Sequence, residues 1–265
     1  MPERNPAPRW LISRRERPEA VLNLYVFAHA GGSAGEYLMW ADDLPELRVW
    51  GVQLPGRSSR FAEPPYERLE PLVDDLTAQA AFDGPCVFLG HSFGALVAYE
   101  TARALHHAGR PGPDHLLLSS CRPPHLLGTG RSSRTPLTDL SDDDLLAAVE
   151  ERWGPLSEQA RTDAGLRRMV LRTLRSDLSV LEAYEHRPGP PLPIPATLLC
   201  GAEESGQLDM DSWSEQLGRV QERLVLPGGH FYFRSDPRPL LDVIRATARS
   251  LAITAQTGAT ERCTT

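Results

Sequence analysis

The sequence predicts an α/β fold, with a mostly parallel central sheet and helices on both of its faces. Short apolar runs alternate along the chain with longer segments in which apolar residues recur at helical spacing. The runs are bounded by Gly, Pro and Asp, and their continuous apolar character is typical of parallel strands that are buried on both faces. This alternation indicates a doubly wound sheet. The predicted strands cover residues 21–27, 49–54, 86–90, 116–120, 196–200 and 223–226.

Helices are predicted between these strands, including segments 69–81, 95–107 and 239–251. Segment 136–187 interrupts the alternation, because it has no strand signal and shows helical periodicity instead. Thr138 or Ser141 is expected to cap a helix with an acidic first turn, and a second helix is predicted over 163–184. A single crossover rarely needs so many residues, so we favour a helical lid insertion over ordinary crossover helices.

The chain is expected to form one domain over residues 18–252, after an N-terminal extension (1–17) and before a disordered tail (253–265). The net charge is −7 and Lys and Arg are not clustered, which argues against nucleic-acid binding. No apolar run is long enough to cross a membrane, and the N-terminus lacks the apolar core of a secretory signal. The four cysteines form no C-x-x-C pair, so no metal site is expected. We therefore expect a cytoplasmic monomer.

The strongest functional signal is Gly90-His91-Ser92-Phe93-Gly94. It follows an apolar strand and precedes a helix, which is the setting of the G-x-S-x-G nucleophile elbow. The tight turn lifts the serine hydroxyl above the carboxyl end of the sheet, and the amide of Phe93 points to where an oxyanion would form. The alternative is a tight strand-to-helix turn with a capping serine. We predict that Ser92 is a nucleophile.

A nucleophilic serine needs a base and an acid, which follow it in that fold in the order Ser, acid, His. His230 comes directly after the last predicted strand and two glycines, so it is the predicted base. The acid should follow strand 196–200, where several carboxylates are available. Glu204 is preferred, and Glu203, Asp209 and Asp211 remain open.

The loop after the first strand is expected to provide the second oxyanion donor. Its sequence is Phe27-Ala28-His29-Ala30-Gly31-Gly32, and its glycines allow backbone amides to approach a substrate oxygen. The amide of Ala30 is the predicted donor. Neither G-x-x-x-x-G-K-[ST] nor G-x-G-x-x-G is present, so nucleotide binding is not expected.

These motifs together resemble the type II (editing) thioesterases of polyketide synthase and nonribosomal peptide synthetase pathways, within the α/β-hydrolase superfamily. The resemblance covers about residues 10–251. Besides the elbow and the first loop, it rests on Gln53-Leu54-Pro55-Gly56-Arg57, on Pro227-Gly228-Gly229-His230-Phe231, and on Arg175-Ser176-Asp177-Leu178 with Tyr184. The chain departs from the family where Glu204-Ser205 replaces Asp-Pro and where Ala28 replaces Pro.

The resemblance implies an α/β-hydrolase fold with a helical lid, and hydrolysis of acyl thioesters from the phosphopantetheine arm of acyl or peptidyl carrier proteins, without a cofactor. It also implies catalytic roles for Ser92 and His230 and substrate-binding roles for His29, Arg175 and Asp177. Removal of stalled acyl groups is favoured; release of a finished chain, a general carboxylesterase and an inactive carrier-binding protein are the alternatives. Basic residues near the lid are candidates for contacting an acidic carrier protein: Arg122, Arg131, Arg134, Arg167, Arg168 and Arg172.

Overall fold

The computed structural model describes residues 10–127, 135–156 and 158–262, and among them it contains one seven-stranded sheet. The strand order is β1-β3-β2-β4-β5-β6-β7. All neighbours are parallel except β1 and β3, which are antiparallel. The strands are β1 Leu11–Ser13, β2 Asn23–Phe27, β3 Arg48–Val52, β4 Cys86–His91, β5 His115–Ser119, β6 Leu192–Gly201 and β7 Leu217–Leu226. The predicted α/β fold with a mostly parallel sheet is confirmed.

Eight α-helices connect or follow the strands in the described residues. They are α1 Ala34–Leu38, α2 Leu69–Gln79, α3 Phe93–His107, α4 Asp142–Trp153, α5 Glu158–Thr162, α6 Ala164–Ala183, α7 Tyr232–Ser235 and α8 Arg238–Arg262. Short 3₁₀ segments lie at Met39–Asp42, Ser58–Arg60, Pro124–Leu126, Leu137–Asp139, Ser205–Gln207 and Met210–Glu215. None of the helices in the described ranges is long and apolar enough to cross a bilayer.

The edge strand β1 is the strand that the sequence did not predict. Leu11 pairs with Val52, and the preceding Trp10 is buried, with its Nε1 donating a hydrogen bond to Gln79 Oε1 at 3.0 Å. The Trp10 ring also packs beneath the guanidinium of Arg60. Part of the predicted N-terminal extension therefore belongs to the sheet. The strand was not predicted because its apolar segment is short and lies among Pro and Arg residues.

Helices on both faces of the sheet bury two separate apolar clusters. Helices α2 and α3 cover one face, and α1 and α8 cover the other. Strand β2 supplies both clusters from alternate positions, with Tyr25 and Phe27 on the first face and Leu24 and Val26 on the second. This two-sided burial explains why the strands are continuously apolar.

Helices α4, α5 and α6 follow β5 and precede β6 in the chain, and they correspond to the predicted lid insertion. Ser141, one of the two predicted caps, accepts a hydrogen bond from the Asp144 amide at 3.2 Å. A third apolar cluster joins α4 to α6 through Leu145, Val149, Leu171, Leu174 and Leu178. The three α6 residues recur at helical spacing on one side of that helix. The lid thus has a small core of its own.

The last helix, α8, continues past its predicted end at Leu251. It reaches Arg262 and so covers most of the residues for which the sequence predicted a disordered tail. This stretch contains no proline, the residue that would most strongly interrupt a helix.

Candidate active site

Ser92 lies in the sharp turn between β4 and α3, at the carboxyl end of the central strands. Its backbone is strained, with φ 55° and ψ −119°, and its amide donates to the carbonyl of Ser119 at 2.8 Å. The flanking glycines leave no room for a side chain. A Cβ at Gly90 would lie 2.3 Å from the Gly94 carbonyl oxygen, and one at Gly94 would lie 2.0 Å from that of Phe27. This is the geometry of a nucleophile elbow.

His230 follows β7 in a loop that packs closely on the loop after β6. A Cβ at Gly201 would lie 2.1 Å from the Gly229 carbonyl oxygen, so the two loops meet where neither has a side chain. The His230 ring is buried and lies 4.9 Å, between centroids, from the ring of His91, the residue before Ser92. No hydrogen bond joins the Ser92 hydroxyl to His230 in the described residues.

Glu204 is the candidate acid that contacts the predicted base. His230 Nδ1 and Glu204 Oε2 are 2.7 Å apart. Because a carboxylate only accepts, Nδ1 carries the proton and Nε2 is left free to accept one from Ser92. Asp209 instead accepts from the Ser212 hydroxyl, and the exposed Asp211 pairs with Arg223. No hydrogen bond joins Glu203 to His230 within the described part of the chain.

The Glu204 carboxyl is held on both oxygens. The hydroxyl of Ser120 donates to Oε1, and the amide of Gly201 lies 3.4 Å from the same atom. Burial alone would raise the pKa of Glu204, but the hydrogen bond and charge attraction of His230, with the help of Ser120 and Gly201, lower that pKa below its ordinary value. Glu204 is therefore ionised at neutral pH.

Two backbone amides are available as the predicted oxyanion hole. Phe93 is the first residue of α3, so its amide has no partner within the helix. In the first loop, the amide of Gly31 donates to Asp177 Oδ2 at 2.8 Å and that of Gly32 donates to the His29 carbonyl at 3.0 Å. The amide of Ala30 has no acceptor among the hydrogen bonds of the described residues, which leaves it available for a substrate oxygen.

Both ring nitrogens of His29, a residue predicted to bind substrate, have partners inside the protein. The Arg234 guanidinium donates to His29 Nε2 at 3.1 Å, so Nδ1 carries the proton and donates to the Tyr37 oxygen at 2.7 Å. Burial, and then the positive charge of Arg234, hold the pKa of His29 well below its ordinary value. The ring is neutral and supports the loop from below.

Arg175 and Asp177 are also engaged with other protein groups. Arg175 donates to the carbonyls of Thr138 and Leu140, each at 2.8 Å, and pairs with Asp142. Asp177 binds Arg57 with both of its oxygens. The polar atoms of both residues thus hold the lid, and substrate binding by either residue stays a prediction.

Three residues near the site were not identified from the sequence as functional. Ser120 lies 84 positions from its partner Glu204, and no local pattern marks it. Arg57 was noted only as part of a motif, although its charge is buried. Trp153, at the end of α4, has its ring centroid 6.1 Å from that of His230. Within the described ranges, no three His, Cys, Asp or Glu side chains are grouped so as to hold a metal ion.

Comparisons with known proteins place this geometry in a family. A family model described as a thioesterase domain matches residues 23–248. The chain is 32% identical to a Brevibacillus parabrevis protein named linear gramicidin dehydrogenase LgrE, covering 92% of this chain and 94% of that protein. It is also 32% identical to thioesterase PikA5 of Streptomyces venezuelae, covering 84% and 79% of the two chains.

A solved structure of a thioesterase is also similar to this chain. The type II thioesterase BorB from the borrelidin biosynthetic cluster is 32% identical, with a TM-score of 0.75, and the match covers 89% of this chain and 96% of BorB. A dehydrogenase such as the name of LgrE suggests would need a nicotinamide site, and the G-x-G-x-x-G pattern that commonly forms one is missing from this sequence. The chain therefore belongs to the thioesterase family of α/β-hydrolases and is an enzyme that hydrolyses thioesters.

Proposed function

We propose that this thioesterase removes acyl groups from the phosphopantetheine arm of carrier proteins, with Ser92, His230 and Glu204 as its catalytic triad. The observation that carries the proposal is the hydrogen bond of 2.7 Å between His230 and Glu204, beside a serine in a nucleophile elbow. Relatives with similar sequences, such as BorB, come from gene clusters that make natural products. Removal of stalled acyl groups is the favoured role.

In the first half of the reaction, His230 Nε2 takes the proton from the Ser92 hydroxyl while the oxygen attacks the thioester carbonyl. The negative charge on the carbonyl oxygen is stabilised by the amides of Ala30 and Phe93. The carbon–sulfur bond then breaks. The leaving thiolate takes the proton from His230, which produces the free thiol of the carrier arm and an acyl group on Ser92.

In the second half, a water molecule attacks the acyl group and gives its proton to His230. The same two amides stabilise the second oxyanion, and the carbon–oxygen bond to Ser92 breaks. His230 returns its proton to Ser92, and a carboxylic acid leaves. Throughout, the ionised Glu204 orients the ring and stabilises its positively charged form.

The lid is suited to the acyl end of the substrate. Trp153 brings an apolar ring next to His230, and the ring centroid of Phe231 is 4.9 Å from that of His230. Apolar walls around a polar centre are typical of a small-molecule site. We infer that these two rings contact the acyl chain while the carrier arm enters from solvent.

Some of the basic residues that were candidates for carrier binding are already engaged. Arg167 pairs with Asp143, and Arg172 donates to the Phe61 carbonyl at 3.1 Å and stacks on its ring. Arg131 and Arg134 lie outside the described residues. The proposal that these side chains meet an acidic carrier protein therefore depends chiefly on Arg122 and Arg168.

The test compares three substrates with the same acyl group: an acyl carrier protein, an acyl-N-acetylcysteamine thioester and an oxygen ester. We expect kcat/KM to be highest for the carrier-bound thioester, by about tenfold or more, because remote binding energy contributes to catalysis. Ser92→Ala should abolish all turnover, and the surface variant His106→Ala should change none of it.

Two other outcomes would redirect the assignment. A preference for the oxygen ester would favour a general carboxylesterase. Rapid turnover of only one long, complete chain would favour release of a product over removal of stalled groups. No thioester turnover at all would contradict the proposed activity.

A further inference from the structure

A buried ion pair joins the lid to the body of the enzyme. Arg57, in the loop after β3, places Nη1 2.9 Å from Asp177 Oδ2 and Nη2 2.5 Å from Asp177 Oδ1. The two side chains are only 5% and 3% exposed. Asp177 lies on lid helix α6. Two parallel hydrogen bonds fix the orientation of the partners as well as their distance.

The same two side chains also form hydrogen bonds with the loop that carries Ala30. Asp177 Oδ2 accepts a hydrogen bond from the Gly31 amide at 2.8 Å. Arg57 Nη1 donates to the Gly32 carbonyl at 2.9 Å. The pair therefore holds the two residues that directly follow the predicted oxyanion donor, one by its amide and one by its carbonyl.

Packing around the loop leaves it little freedom. Gly31 has φ +75° and lies under α6, where a Cβ would be 3.4 Å from Leu174 Cδ1. A Cβ on Gly32 would be 2.6 Å from Cε1 of the His29 ring. The loop is thus confined between the lid helix above and a histidine ring below, and that ring is itself fixed by Tyr37 and Arg234.

We propose that Arg57 and Asp177 are positioning residues that set the oxyanion hole by tying lid helix α6 to the loop that carries the Ala30 amide. This inference rests on the proposed mechanism, in which that amide stabilises the oxyanion. Neither residue touches the reacting atoms. Their effect is on where the Ala30 amide points, so helix α6 and one half of the oxyanion hole form a single unit.

A second buried ion pair provides a matched control. Glu100 and Arg103 on α3 are 2.9 Å apart and their side chains are 9% and 14% exposed. Glu100 also accepts a hydrogen bond from Tyr184. The described contacts of this pair do not include any residue of the elbow, the first loop or the His230 loop. Glu100→Gln therefore weakens a buried ion pair without acting on the active site.

The experiment measures kcat, KM and the affinity of an acyl trifluoromethyl ketone for wild type, Asp177→Asn, Arg57→Lys and Glu100→Gln. The ketone forms a hemiketal with Ser92, and its oxyanion needs the same donors as the reaction. We expect Asp177→Asn to lower kcat about a hundredfold, with a parallel loss of ketone affinity and a KM within about threefold of wild type. Glu100→Gln should lower the melting temperature and leave kcat and ketone affinity within about twofold.

Arg57→Lys keeps the charge but loses the fork that reaches both Asp177 and Gly32, so an intermediate loss of about tenfold in kcat is expected. The Arg57→Lys variant tests the inference by itself if Asp177→Asn fails to fold. Unchanged kcat and ketone affinity in a folded variant, or a change in KM alone, would overturn the inference. The proposed function would survive such a result as long as wild type hydrolyses thioesters and Ser92→Ala does not. Absence of turnover by wild type would instead overturn the proposed function.

Discussion

The catalytic groups and the lid are held by contacts of different kinds. Ser92, Glu204 and His230 lie on turns at the carboxyl ends of β4, β6 and β7, where buried backbone and glycine packing fix them. The ion pairs that join lid helices α4 and α6 lie at the surface, although a small apolar cluster also packs these two helices together. In the pairs of Asp143 with Arg167 and of Asp142 with Arg175, the acidic side chains are 86% and 61% exposed.

This difference indicates which part of the enzyme is rigid. Exposed ion pairs contribute only about 0–1 kcal/mol each, whereas breaking a buried pair by removing one partner costs about 3–5 kcal/mol. The exception in the lid is α6, which the buried Asp177 anchors to the body. We therefore expect α4 to be the part of the lid that yields most easily, and α6 to stay with the sheet.

The largest effect is expected from His230→Ala, in the rigid part. Loss of the base should lower kcat by about a millionfold, as removal of a base from a catalytic triad does elsewhere. Steady-state hydrolysis of an acyl-N-acetylcysteamine thioester measures it. A loss below about a hundredfold would mean that another group takes the proton from Ser92.

Glu204→Gln should have the next largest effect. An amide in place of the carboxylate can present its NH₂ group to His230 Nδ1 and so favour the wrong tautomer, which costs about ten-thousandfold in kcat. Asp211→Asn is the matched control, because that exposed carboxylate pairs with Arg223 away from His230. Equal effects of the two variants on kcat would contradict the assignment of the acid.

Trp153→Ala tests the lid side of the comparison. Removing a ring that lies 6.1 Å from His230 enlarges the space above the site, so long acyl chains should gain about tenfold in kcat/KM relative to short ones. Trp153→Phe should retain most of the original preference. Competition between acetyl and octanoyl thioesters measures the ratio, and an unchanged ratio would remove Trp153 from the acyl pocket.

The smallest change in activity is expected from two core variants, which compare the stability of the sheet with that of the lid. Leu89 in β4 and Leu145 in α4 are both fully buried. Leu89→Ala should lower the free energy of unfolding of the whole domain by about 3 kcal/mol. Leu145→Ala should chiefly increase hydrogen exchange in residues 142–153, with little change in the global unfolding midpoint. Equal losses of global stability would show that lid and body unfold as one unit.

Local sequence patterns predicted the parts of the molecule that depend on neighbouring residues. Apolar periodicity located six of the seven strands, and the elbow motif located the turn at Ser92. Strand β1 was not predicted because a strand of three residues is too short to give a periodic signal. The order of the triad in the chain pointed to His230 and left four carboxylates as candidates for the acid.

The contacts that support the site join residues far apart in the sequence. Arg57 and Asp177 are separated by 120 positions, and Ser120 and Glu204 by 84. No pattern in a single sequence reports such pairs. For the same reason, the sequence did not reveal that the polar atoms of His29 and Asp177 have partners within the protein.

The most direct test of the central claim is to find where the acyl group goes. Wild type and Ser92→Ala would be mixed with an acyl carrier protein, quenched within the first turnover and analysed by peptide mass spectrometry. The proposed covalent mechanism predicts the mass of the acyl group on the peptide that contains Ser92, and no such adduct in Ser92→Ala. Hydrolysis by wild type with the adduct on another residue, or hydrolysis that continues in Ser92→Ala, would contradict it.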